Sequence, residues 1–177
     1  MVENIHTRIL KATIQEVGSL IDRLASREDT LWPSNRWPAM RFDRPLGVGA
    51  VGGHGPIRYF VESYEPGRSI TFRFTSPKGY VGIHALDVKE VEPGAVQLRH
   101  VLKMRMTGLT RLTWPLAFRW LHDALVEDAF DRAEAYCTSS VLSERSLSMW
   151  VRILRHLMSS KGARVFIKRR TSAAVQK

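Results

Sequence analysis

A single cysteine, Cys137, is all the sequence holds, so no intrachain disulfide and no multi-cysteine metal site can form. Long hydrophobic runs are missing too. Even Trp114 to Leu121 is broken by Arg119, far short of the roughly 18 apolar residues that a membrane-spanning helix needs. The opening Met1-Val2-Glu3-Asn4-Ile5-His6 has neither a basic nor an apolar export region, and a cytoplasmic protein is the expectation. No metal-ligand spacing such as His-x-x-x-His occurs, so no metal and no cofactor are expected. Acidic residues are scarce at one end only. Residues 1–142 hold 18 Lys and Arg against 16 Asp and Glu, whereas residues 143–177 hold 9 against 1, so the net charge of +10 belongs mostly to the tail. A near-neutral body, and a tail with no interleaved aromatics beyond Trp150 and Phe166, argue against a nucleic-acid partner.

What remains is a globular composition, 44% hydrophobic and 25% charged, with room for one sizeable core. The charge break divides the chain into a domain over 1–142 and a basic extension over 143–177. The longest uninterrupted helical pattern runs from Thr110 to Cys137, with Thr113 as the expected N-cap and Pro115 in the first turn. At about 100° per residue, Trp114, Ala117, Phe118, Leu121, Ala124, Leu125, Ala129 and Tyr136 share one arc, and Asp123, Glu127, Asp131 and Glu134 lie opposite. Asp128 and Arg132 fall inside the apolar arc at i, i+4. Either they form an ordinary surface ion pair, or they face a cavity.

Ahead of that helix, Ile5 to Lys11 reads as a strand, with His6, Arg8 and Leu10 on one side and Ile5, Thr7 and Ile9 on the other. Thr13 and Glu16 form a capping-box pattern for a helix buried through Val17, Leu20, Ile21 and Leu24. Trp32-Pro33 and Trp37-Pro38 make a loop or broken helix whose tryptophans plug one end of the core. From Met40 to Met106 the period is two. Turns at Pro45-Leu46-Gly47, Glu65-Pro66-Gly67, Pro77-Lys78-Gly79 and Glu92-Pro93-Gly94 predict strands near 39–44, 56–64, 69–75, 80–91 and 95–106. Gly47-Val48-Gly49-Ala50-Val51-Gly52 matches G-x-G-x-x-G, but a strand rather than a helix follows, so it reads as a mobile loop and not a dinucleotide site. The sum is an α+β chain: a curved antiparallel meander with one long helix across its concave face and a space between them.

The alternation says what lines that space. Val96, Leu98, His100, Leu102, Met104 and Met106 share one face, and Tyr80, Gly82, His84, Leu86 and Val88 share another. The Pro93-Gly94 turn puts His84 and His100 on adjacent strands. The expected ligand-binding set is Tyr59, Phe72, Phe74, Tyr80, His84, His100, Leu102, Met104, Leu121, Leu125, Asp128 and Arg132, with His84, His100 and Asp128 as catalytic candidates. The alternative for each histidine is a core residue with one satisfied hydrogen bond.

The order of elements resembles the START, polyketide-cyclase-like and birch-pollen-allergen-like group, the SRPBCC superfamily. The residues that carry it are Ala12-Thr13-Ile14-Gln15-Glu16-Val17 followed by Asp22, then Trp37-Pro38, then Tyr64-Glu65-Pro66-Gly67-Arg68-Ser69-Ile70-Thr71-Phe72, within about residues 4–137. The resemblance implies a helix-grip fold whose cavity takes a lipid, sterol or polyketide, with cyclisation or dehydration in some members. Thr13 stands where many relatives have proline, and the basic extension lies beyond the usual last helix.

In that extension Leu147, Trp150, Val151, Leu154, Leu157 and Met158 recur at helical spacing, with Arg145, Arg152 and Arg155 towards the other side and Lys161, Arg164, Lys168, Arg169, Arg170 and Lys177 beyond. Trp150, Arg152, Leu154, Arg155, Lys168, Arg169 and Arg170 are the expected contacts to an anionic membrane surface. The alternative is that the stripe docks on the domain. Three functions follow: a carrier or sensor of a hydrophobic small molecule or lipid, working at a membrane surface; a cyclase or dehydratase using the cavity histidines as acid and base; or an interaction protein with a filled core.

Overall fold

The computed structural model describes residues 1–140 and 142–158. Seven strands, β1 (Val2–Lys11), β2 (Arg41–Phe42), β3 (Val51–His54), β4 (Ile57–Glu65), β5 (Ser69–Ser76), β6 (Tyr80–Glu92) and β7 (Ala95–Met106), form one antiparallel sheet in the order β1-β7-β6-β5-β4-β3-β2. Pairing shifts between Val61 and Ser63 and between Glu90 and Glu92 mark bulges, which bend a sheet. Thr13 caps α1 (Ile14–Asp22) with both halves of the capping box in place. At the far end of α1, the Asp22 carboxylate accepts from Tyr64 Oη and Gly67 N, each at 2.8 Å, pinning the helix to the β4–β5 turn. Gly18 lets them meet: a Cβ there would sit 2.2 Å from Gly67 O.

The glycine-rich stretch departs from expectation. Val51–His54 is a strand paired with β2 and β4, not a mobile loop. A Cβ on Gly52 would lie 2.1 Å from Arg41 O, and one on Gly53 would lie 2.0 Å from Ile57 O. The glycines are there for close backbone approach rather than for freedom.

The long helix begins at Thr110, where its pattern begins, and ahead of the expected cap. It runs as α2 (Thr110–Thr113), a π-helical turn (Trp114–Phe118) and α3 (Arg119–Thr138). Thr113 is not a cap: its backbone is helical and its side chain makes no cap bond, while Thr110 Oγ1 bonds to Gly79 O and Thr107 O. Pro115, which has no N–H to give, falls inside the widened turn.

Strand β1 is inverted relative to a typical edge. Ile5 and Ile9 are exposed, while Asn4, His6 and Arg8 face the acidic side of α3. His6 bonds to Asp123 and Glu127, and Arg8 to Glu127, Asp131 and Glu134. The acidic helix face opposite the apolar arc is thus tied to the first strand. Residues 149–158 form a further helix, α4, whose Val151 and Leu154 join the main core together with Trp32, Trp37 and Phe130, with Leu147 and Met158 packed beside them.

Candidate functional site

Between the sheet and the helices lies a cavity of about 1280 Å³. From the sheet, Phe72, Phe74, Tyr80, His84, His100, Leu102 and Met104 line it, and from α3, Leu121 and Leu125, all as placed from the sequence. His84 pairs with Leu102 and His100 with Leu86, so the two imidazoles are diagonal neighbours with ring centres 5.8 Å apart. His84 stacks between Phe72 and Phe74, at 4.7 and 5.0 Å.

Three residues of the expected set lie elsewhere. Tyr59 is wholly buried behind His84, 4.7 Å from its ring, rather than on the cavity wall. Asp128 is buried, as its place in the apolar arc implies, but its partners are Arg36 (3.1 Å) and Trp37 Nε1 (2.7 Å) and not Arg132. Arg132 donates to Thr30 O and reaches Asn35 Oδ1 at 3.4 Å. A guanidinium from the 31–38 loop, close in space and not in sequence, outcompetes the helical i, i+4 neighbour. The same geometry leaves Asp128 unable to orient His84 or His100.

Two of the expected membrane contacts on the last helix are engaged inside the fold. Leu154 is buried in the core, and Arg155 lies over the Trp37 ring at 4.8 Å while donating to Arg36 O. Arg152, Arg155, His156 and Met158 line the cavity. Through residue 158 the extension is therefore a wall of the domain. Lys168, Arg169 and Arg170 lie outside the described residues.

The sequence reading passed over His54, His122 and His156, which line the same cavity. With His6, whose ring is 5.9 Å from that of His122, they gather all six histidines of the chain around one space. A signal was there. His122 lies three residues before Leu125 and four after Phe118, on the arc already assigned to the interior.

Burial pushes His84 and His100 well below the ordinary imidazole range, and it pushes His54 down to about 3. His122 is lowered by burial, against the pull of Asp123. These rings are neutral at pH 7. Burial alone would raise the Asp123 carboxyl, but its bonds to His122, His6 and Asn4 prevail and hold it below the usual carboxylate range. His6, bonded to Asp123 and Glu127, is raised.

Among the described residues, Tyr59 Oη, His84 Nε2, His100 Nδ1 and His122 Nε2 are buried with no protein hydrogen-bond partner. The alternative of core histidines with one satisfied bond does not describe His84 or His100. The ligand atoms of His6, His122 and Asp123 lie within 4.8 Å of one another, close enough for one metal ion. In this structure those atoms bond to one another and to Glu127.

Solved structures share the fold. CalU16 from Micromonospora echinospora is similar over 91% of this chain and 86% of its own, at 16% identity and a TM-score of 0.55. A protein from Nitrosospira multiformis covers 78% of this chain and 97% of itself at 12% identity and TM-score 0.59. One from Thermobifida fusca covers 82% and 100% at 13% identity and TM-score 0.58. The chain has a helix-grip fold. No family model and no curated protein matches this helix-grip sequence. At such identities the likeness carries the architecture and nothing about the cavity's occupant. No helix among the described residues is long and apolar enough to cross a membrane.

Proposed function

We propose that this helix-grip domain, read as a member of the SRPBCC superfamily, binds a hydrophobic small molecule or lipid in its cavity as a carrier or sensor. The observation that carries the reading is the pair His84 and His100: neutral imidazoles set among Phe72, Phe74, Leu102 and Met104 in the lining of one large cavity. An imidazole in such a lining offers a hydrogen bond to a ligand's hydroxyl or carbonyl, the kind of polar group that orients a guest in a mostly apolar pocket. The apolar body of the ligand would lie along Phe74, Leu102, Met104 and Leu125. Arg36, Arg58, Arg152 and Arg155 also reach the lining and favour a neutral or anionic guest over a cation.

The test is displacement of the fluorescent probe N-phenyl-1-naphthylamine, together with native mass spectrometry of what copurifies. Ala129→Trp, which fills the space from α3, should abolish probe binding while the protein stays folded by circular dichroism. Equal binding by that folded variant would overturn the reading. His84→Phe with His100→Phe should keep the apolar probe and weaken retention of any copurifying molecule with a polar end. The alternative, a cyclase or dehydratase with one of these histidines as general base, needs a group to orient the imidazole. Asp128, held by Arg36 and Trp37, does not supply it.

A further inference from the structure

Sixteen large hydrophobic side chains are exposed among the described residues, and half of them lie on two adjoining helical segments: Leu109, Leu112, Leu116 and Trp120 before and around the π turn, and Met149, Trp150, Ile153 and Leu157 on α4. The first four are spaced three, four and four apart, on one helical face. Trp150 Nε1 donates to Leu116 O at 3.1 Å, which joins the two segments into one patch. Trp120 Nε1 donates to Pro115 O, also at 3.1 Å. Both indoles thus spend their only polar group on carbonyls of the π turn and remain half-exposed. Scattered apolar residues on a surface are ordinary, but a contiguous patch with two tryptophans is not.

Charge selects the occupant. From residue 95 to 122, and from 145 to 177, the sequence contains no Asp or Glu. Arg111 and Arg119 neighbour Leu112 and Trp120 of the patch in the chain, Arg119 also reaching Asp123 at 3.6 Å. A second copy docked face to face would set these arginines against themselves. We propose that this face docks on an anionic lipid bilayer, with the leucines and tryptophans in the headgroup boundary and the arginines on the phosphates. The segments that present the face also wall the cavity on their other side, through Trp114 and Phe118 and through Arg152, Arg155 and His156. Docking does not depend on the cavity being occupied.

The experiment is flotation of the full chain with phosphatidylcholine vesicles and with vesicles one-third phosphatidylglycerol, together with quenching by brominated lipid. Trp120 and Trp150 are about half-exposed, whereas Trp32, Trp37 and Trp114 are each no more than 8% exposed, so quenching reports the patch. The full chain should float with the anionic vesicles, be quenched, and lose binding in high salt. Leu112→Glu with Leu116→Glu, both more than 60% exposed and so expected to fold normally, should cut partitioning at least tenfold. Absence of binding overturns the proposal. So does unchanged binding by the double Glu variant combined with loss in Lys168→Gln, Arg169→Gln, Arg170→Gln, which would assign the membrane to the tail alone. A concentration-dependent dimer that the Glu variant dissolves, with no vesicle binding, overturns it in favour of a second copy.

Discussion

His84, His100 and His54 give the residue scale its clearest consequence. An imidazole in the unfolded chain titrates near 6.5, while these rings titrate far lower in the fold. Above pH 6.5 neither state carries the charge. As pH falls below 6.5 the unfolded chain takes up protons that the fold refuses, so stability falls by at most about 1.4 kcal/mol per pH unit for each ring. For His54 that window extends down to about pH 3. The raised His6 acts in the opposite sense, adding stability in acid that is lost as pH rises through its folded value. Urea midpoints at pH 7.5 and 5.5 should fall markedly for the wild type and less for His84→Phe with His100→Phe; equal slopes would mean that the rings are not buried neutral. The other residue-scale test concerns Asp128. Removing it takes the nearest carboxylate from Arg36, which keeps Glu144 at 3.8 Å, and the acceptor from Trp37 Nε1, so Asp128→Ala should cost about 3 kcal/mol, against less than about 1 for Arg132→Ala if charge alone counts. That Asp128 would be buried was legible in its helical phase. Its partner was not, because Arg36 comes from a loop whose path no periodicity records.

Elements were legible where local rules fix them and illegible where approach distance does. Thr13 and Glu16 announced α1 because a capping box is a contact between residues three apart. Strand β3 was missed because Gly52 and Gly53 signal a loop by composition while serving a strand by their lack of a side chain. The cap of the long helix was misplaced at Thr113 because Thr113-Trp-Pro imitates one, and the π turn has no pattern of its own. Gly18 offers a contest of signs. A glycine-to-alanine change in a helix ordinarily stabilises by about 1 kcal/mol, but here the added carbon would meet Gly67 O at 2.2 Å. Gly18→Ala should therefore lower the melting temperature, as read by circular dichroism, and a rise would mean that the β4–β5 turn yields easily. Gly52→Ala should also destabilise, since β2 would have to draw away from the added carbon at Arg41 and Phe42.

At the scale of the whole molecule, alternation along β6 and β7 told which residues point inward but not whether they meet other side chains or empty space. A strand facing a packed core and one facing a cavity have the same period. The partners of the acidic stripe on α3 were illegible for a related reason: amphipathicity marks a polar face without saying what it meets, here His6 and Arg8. If the cavity takes a ligand, saturation at a hundred times Kd should stabilise the fold by about 2.7 kcal/mol, a rise in melting temperature that Ala129→Trp should not show. The position of α4 bears on how a guest gets in. One wall of the chamber is made by residues 149–158, close to the C-terminal end of the sequence. That wall follows the sheet and α3 in the order of the chain, so an oily molecule can be enclosed as α4 docks. Protein refolded from denaturant with its guest present should then be loaded fully, whereas guest added to finished protein should load slowly, at a rate set by how often α4 lifts away from Trp37.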